Sequence, residues 1–564
     1  MKKISSIIRW TLFFALAMSF AACSMMEVEN IDNNGDNPEV KGDGAYLILN
    51  FSSSTRATNH PFGSENGDGR ESAHNYENKV DNLCFFIYND GAKKFNEANG
   101  NTTFTYKAYI DNINYEGVRE EGENVIFPPK RFHIEAYYPK EGDRIMVLIN
   151  AGNLTYKIKT IDDLRNAQIT KQNTWTSAKY IKDYNSFAMT SCTDDDTYGK
   201  IEITDKDGKK HAGSYDDPFV ARVDVERVAA RVDWVLPEDG SHNPIVDPTW
   251  GAVYETKADD GIAGKLYVSD IRMVNENQMP TYLIRRIATS VNPLVGENYM
   301  GKVTLDTKEL PQQYVVEPLT TEKIAGKEYN EELLDTWFGA SRFKNSMNAT
   351  TFFPAGNDYK VGFNATNTAD NNYKRFETDF IDNKKCWCYT LGYLMENTMD
   401  KSEYTNSNLR TGLQLKCTFL PQDIYQFPEG ATVPVRLENT GDNYKIGRSF
   451  CYLKNTADVK KSLFFDTNLD ATRYLSIQGD KENYEIYNYE NGACYYYIWL
   501  KHAACDNASD EGNYPMEYAI VRNNIYRIKI EKILHLGTAE PEDVKEALIE
   551  VLQWNLRIQP TIYL

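Results

Sequence analysis

Along the last eleven residues, apolar side chains fall on every second position: Trp554, Leu556, Ile558, Pro560, Ile562 and Leu564, with Asn555, Arg557, Gln559, Thr561 and Tyr563 between them. Period-two alternation predicts a strand running to the carboxyl terminus. Chain ends fray unless something ties them down. Such a strand either closes its own sheet as a last core strand or completes a sheet elsewhere.

The same reading predicts a compact apolar strand at Ala45–Phe51 and buried strands at Lys79–Tyr88 and Arg144–Asn150, the latter running into Asn150-Ala151-Gly152-Asn153, which is turn chemistry. Asp207-Gly208 reads as a hairpin tip. Phe219–Val235 reads as one long strand whose apolar phase shifts near Arg227, as a β-bulge would cause. Leu236-Pro237-Glu238-Asp239-Gly240 punctuates the chain and predicts a domain boundary. Beyond it, short strands are expected at Lys265–Val274, Gly301–Leu305, Ala431–Leu437, Arg448–Leu453 and Ala493–Leu500, separated by Asn/Asp/Lys-rich loops. Asp543–Leu552 reads equally as helix or strand. The pattern points to an all-β protein.

Length changes this picture by requiring more than one core: 564 residues suit two to four domains. With 13% aromatics and 38 Tyr the composition favours strands. The formal charge of −19, with no Lys/Arg run, argues against nucleic acid and against adhesion to an anionic membrane surface.

The amino terminus reads as an export signal: Lys2, Lys3 and Arg9 precede an apolar stretch from Trp10 to Phe20, then Ala21-Ala22-Cys23. Small residues before a cysteine resemble a bacterial lipobox in which Cys23 is lipid-modified, with Phe20 in place of the usual Leu-like residue. A plain secretory signal with an incidental cysteine is the alternative. Ser24–Asp43 is polar and reads as a solvated tether. Ser52-Ser53-Ser54-Thr55-Arg56-Ala57 is a small-polar loop, either an ordinary surface loop or a site at which an arginine-specific protease cuts after Arg56.

Chemistry is sparse. Nine cysteines and seven histidines show no zinc-knuckle, CxxC or HExxH spacing, so no metal and no cofactor is expected. Cys386 and Cys388 would share one face of a strand. Asp194-Asp195-Asp196 and Asp205/Asp207 lack the oxygen-ligand spacing of an EF-hand loop and read as solvated turns. No GxSxG elbow, Walker loop or GxGxxG is present, and no catalytic residue is singled out.

Tyr389–Thr398, Tyr495–His502, Tyr518–Ile528 and Val225–Val232 (VERVAARV) together resemble the fimbrillins of the Bacteroidetes, and among them the shaft (major structural) subunit of the minor fimbria, a type V pilin. The resemblance spans nearly the whole chain. It implies two transthyretin-like β-sandwich domains in tandem, without enzymatic activity. It implies a signal peptide over 1–22, a palmitate-bearing Cys23 that holds the precursor at the outer membrane, and a tether and first strand over 23–56. A trypsin-like, arginine-specific protease would remove that segment by cutting between Arg56 and Ala57. The amino-terminal domain would then span 57–240, the carboxyl-terminal domain 241–553 and a donor strand 554–564. Trp554, Leu556, Ile558, Ile562 and Leu564 would insert into a neighbouring copy, building an extracellular homopolymer with tip and anchor subunits that serves adhesion and biofilm formation. The rival reading is a surface-anchored monomeric β-sandwich lipoprotein that binds a glycan or host protein. A hydrolase with carboxylates in a sandwich cleft stands third.

Overall fold

The computed structural model describes residues 44–53, 75–113, 115–116, 118–119, 125–126, 130–177, 184–191, 199–256, 262–288, 303–305, 308–310, 314–318, 331–343, 375–379, 385–398, 409–502, 518–533, 535–540, 551–552 and 561–563. Cys23, Arg56, Ala57, Trp554, Leu556, Ile558 and Leu564 lie outside this set, as do Asp194–Asp196 and positions 543–550. The fold is all-β, with a few short helices.

The amino-terminal part forms a ten-stranded sheet. It uses β1 (Gly44–Ser53), β2 (Leu83–Tyr88), β3 (Tyr106–Ile110), β4 (Lys130–Glu135), β5 (Arg144–Ile149), β6 (Met189–Ser191), β7 (Ile201–Glu202) and β8 (Phe219–Arg227), with short pieces at Val118–Arg119 and Val125–Ile126. β2 shows why a continuous apolar run suits a strand covered on both faces. Leu83, Phe85 and Ile87 enter one core, with Ile145, Val147 and Val223. Cys84, Phe86 and Tyr88 enter a second, with Phe104, Ile161 and Leu164 on the opposite face. The strand expected at Lys79–Tyr88 is divided by Asp81-Asn82, whose backbone N–H groups bond the Asn150 side chain. Asn150 itself takes a left-handed backbone, as the turn chemistry required. Asp207-Gly208 forms the expected tip, with Gly208 at positive φ and the Asp205 carboxylate accepting from the N–H groups of Asp207 and Lys209.

Phe219–Val235 is not one bulged strand. β8 ends at Arg227 and β9 (Ala230–Val235) belongs to a different sheet, so the chain changes sheets at Val228-Ala229. The phase shift in the sequence marks a crossing, ahead of the punctuated stretch at 236–240. The second sheet, in the order Arg375–Asp379, β12 (Lys385–Leu394), β9, β18 (Ile525–Lys532), β19 (Thr561–Tyr563) and Val551–Leu552, has six strands. It faces a five-stranded sheet that contains β10 (Gly251–Thr256), β11 (Gly264–Val274), β13 (Gly412–Pro421) and β17 (Ala493–Trp499). Between them lie Val232, Trp234, Leu266, Val268, Leu415, Phe419, Tyr496, Ile498, Tyr526 and Ile528, which form one core.

A third body is inserted between β13 and β17. It is a five-stranded sheet built around β14 (Phe450–Asn455), β15 (Leu463–Phe465) and β16 (Tyr484–Tyr489), covered by a helix over Asn468–Ser476. Only Val435–Arg436 of the expected Ala431–Leu437 strand forms. The helix starts at Thr467, whose hydroxyl accepts from the Asp470 N–H. Leu469 and Ile477, on or just after this helix, are more than half exposed.

Trp234 has no exposed surface, and Trp234→Ala is expected to cost about 3–5 kcal/mol in guanidinium unfolding. Val435→Ala, at an exposed edge position, is expected to stay within about 0.5 kcal/mol. Equal effects of the two would show that the sandwich core is misassigned.

Candidate functional site

β1 lies in the interior of its sheet, although it comes first in the chain. On one side it runs parallel to β8, with Leu47 opposite Phe219 and Ser53 opposite Val225. On the other it runs antiparallel to β4, with Gly44 opposite Glu135 and Leu49 opposite Lys130. Ala45, Leu47 and Leu49 have no exposed surface and enter the core beside Phe132, Ile134 and Phe219. Tyr46 projects to the other face, its ring 4.9 Å from His133 and 5.3 Å from Tyr215.

A strap after β7 crosses the start of β1, and the Tyr46 N–H donates to the Gly213 carbonyl at 2.8 Å. Gly213 has φ +69, and a Cβ there would lie 2.6 Å from the Phe219 ring and 3.2 Å from the Ala45 methyl, so only glycine fits. The strap is tied by His211, whose Nδ1 lies 2.7 Å from the Asp217 carboxylate. Hydrogen bonding to His211 and to the Ala212 N–H holds the Asp217 carboxyl below its ordinary range.

Removing β1 would strip partners from β8 and β4 together and open the core along Leu47 and Leu49. The carboxyl-terminal sheet has the same arrangement: β9, its first strand, runs parallel to β18 and antiparallel to β12. There the corresponding strand is tied to β8 by two residues. In the amino-terminal part it leads into residues 54–74, which contain Arg56 and Ala57.

Of the expected donor residues, Ile562 lies in β19, which runs parallel to β18 with Ile562 opposite Ile530. The same residue faces Val551 in an antiparallel pair. Val551–Leu552, which the sequence left open between helix and strand, is strand.

The sequence blocks 225–232, 389–398 and 518–528 converge where the two parts meet. Arg231 reaches the Glu77 carboxylate at 3.2 Å and Asp233 at 3.0 Å, and Arg527 reaches Asp233 at 3.3 Å. Tyr393 donates to Glu77, and Thr390 donates to Asp233 at 3.0 Å. Arg227 donates to the Glu77 carbonyl at 3.2 Å and to the Asn78 side chain. The backbones are locked as well, with Asn523 N–H donating to Ala229 O and Arg231 N–H to Asn524 O, both at 2.8 Å.

A second cluster sits nearby. Arg522 holds both oxygens of Glu396, at 2.8 and 2.7 Å, and donates to the Leu283 carbonyl at 2.6 Å and to that of Tyr282. Burial pushes Tyr393 well above the ordinary phenol range, reinforced by the adjacent Glu77. It also pulls Arg227 down, against the opposing pull of Glu77. These are joint-forming charges bonded mainly to one another and to backbone. Among the described residues no group of three or more His, Cys, Asp or Glu is placed to hold a metal ion.

Residues 487–562 match the family model described as "Major fimbrial subunit protein type IV, Fimbrillin, C-terminal", a stretch that contains β17, β18 and the first two residues of β19. Among solved structures, the chain is similar to a candidate cell adhesion protein of Parabacteroides distasonis at 13% identity, covering 88% of this chain and 94% of that one with a TM-score of 0.31. It is similar to the tip fimbrial protein Mfa3 of Porphyromonas gingivalis, with C-terminal truncation, at 10% identity over 69% of this chain and 84% of that one, with a TM-score of 0.25. No curated protein gives a significant sequence match.

Arg522→Met would leave Glu396 buried and without its guanidinium, and the expected cost in a urea melt is about 3–5 kcal/mol. Adding Glu396→Leu is expected to recover part of that loss, because the stranded charge is removed. A double variant no better than the single one would show that the pair does not act as a unit.

Proposed function

With its residues 487–562 matching the fimbrillin carboxyl-terminal model, we propose that this chain is a structural subunit of a type V fimbria, polymerising by protease-gated strand exchange. Its role is the shaft of a surface adhesion and biofilm fibre, without catalysis. The precursor is exported as a lipoprotein on Cys23 and held at the outer membrane. An arginine-specific protease cuts between Arg56 and Ala57, the segment 23–56 leaves with β1, and the tail of another copy fills the vacated position through Trp554, Leu556, Ile558, Ile562 and Leu564. Tip and anchor subunits join the same chain of contacts.

The observation that carries this reading is the interior position of β1. A strand bonded on both edges, carrying Ala45, Leu47 and Leu49 into the core, leaves on removal a groove that demands another apolar strand. The ten residues 555–564 alternate in the way such a groove requires. Pro560 has no N–H, so the donated ladder is interrupted there. While β1 stays in place the position is filled, and the precursor remains a monomer.

The pairing of Thr561–Tyr563 with β18 favours a second reading, in which the tail belongs to its own domain and the protein is a monomeric, surface-anchored module that binds a glycan or host protein. One experiment separates the two. The precursor beginning at Ser24 is incubated with a trypsin-like protease and run unheated on a denaturing gel beside Arg56→Ala and a 555–564 deletion. A ladder from the wild type alone, with a new amino terminus at Ala57, is the expected result. Monomer bands in every lane despite that cut would establish the second reading.

A further inference from the structure

Cys417 on β13 and Cys494 on β17 stand directly opposite each other in antiparallel register. Neither has any exposed surface, and both point into the sandwich core. The two thiols are close neighbours in that core. Tyr495 exchanges its N–H and C=O with Thr538 on the outer side, so the N–H and C=O of Cys494 turn inward to β13. Both are free thiols in this structure; residues paired in this way have Cα atoms about 5.5 Å apart, inside the span of roughly 4.4–6.8 Å that disulfides bridge, and their Cβ atoms, about 4.5–5.5 Å apart, have to draw in to roughly 3.5–4.5 Å for the bond to close.

Among the described residues, the other buried free thiols are placed differently. Cys84 donates to the Gly152 carbonyl at 3.1 Å, in the core beneath β2. Cys451 packs within the inserted body, beside Leu453 and Phe465.

We propose that Cys417 and Cys494 are a disulfide site, closed while β13 and β17 pair. A low-molecular-weight or protein disulfide is the oxidant. One cysteine thiolate attacks it to give a mixed disulfide, the second cysteine displaces the donor's sulfur, and the donor leaves as two thiols. The net change is loss of two hydrogens from this chain and reduction of one donor disulfide. Burial pushes the Cys417 thiol up, so the reactive thiolate is available before the core closes and not after it. The proposal rests on the functional reading above only for export into a compartment that holds such donors.

The consequence is topological. Everything between the two cysteines is the inserted body with its connections, and the bond would close that body into a loop at its base. A cut anywhere within it would leave the chain in one covalent piece.

The test uses the full chain from Ser24, reduced, unfolded and refolded in mixed oxidised and reduced glutathione, then acid-quenched, denatured and alkylated without reductant. Peptide mass mapping is expected to find the Cys417 and Cys494 peptides joined, lighter by two hydrogens than their sum, and separately alkylated only after reduction. A protease nick between residues 425 and 489 is expected to give one band without reductant and two with it. Recovery of both peptides fully alkylated without reduction, or joined to other cysteines, would overturn the proposal. Neither readout depends on polymerisation, so failure here is distinguishable from failure of strand exchange.

Discussion

A strand in the interior of a sheet has to satisfy backbone groups along both edges, and its neighbours depend on it for theirs. In this molecule that constraint falls on β1, the first described strand. It runs parallel to the last strand of its own sheet and antiparallel to β4, with core side chains between. An amino-terminal strand at a sheet edge could leave at modest cost. One in the interior leaves two neighbours without partners, and its departure would open the core along Leu47 and Leu49.

The junction between the two parts makes the opposite commitment. β8 passes into β9 through two residues, and the ionic cluster around Glu77, Arg231, Asp233 and Arg527 fixes the crossing. β9 is buried on both faces for different reasons: Ala230, Val232 and Trp234 go into the sandwich, while Arg231 and Asp233 meet charges from the other side. Such a cluster adds little net stability over an apolar contact of equal shape, but it tolerates few alternative geometries.

Much of the strand content was legible where the chemistry is local. β2, β5, β11 and β17 stand out as apolar runs, and Asn150 and Gly208 supplied the turns. The break at Val228-Ala229 was visible as a change of phase, but a bulge and a crossing leave the same trace in one dimension. The short helices were missed because their signals are brief, as with Thr467 and Asp470 ahead of Asn468–Ser476. The ionic joint was illegible for another reason: Glu77 and Arg231 are 154 positions apart, and an arginine between apolar residues on a strand looks like an exposed one. The blocks at 225–232, 389–398 and 518–528 were recognisable as sequence before anything showed that they touch.

The two-edged bonding of the β1 position has a mechanical side. A strand held along one edge can be peeled, its hydrogen bonds breaking in turn at low force. A strand held along both edges and pulled along its own axis is loaded in shear, so that many bonds and the side chains between them must yield together. A strand in that position is gripped in the second way. The short crossing from β8 to β9 then passes the load into the next sheet with little slack.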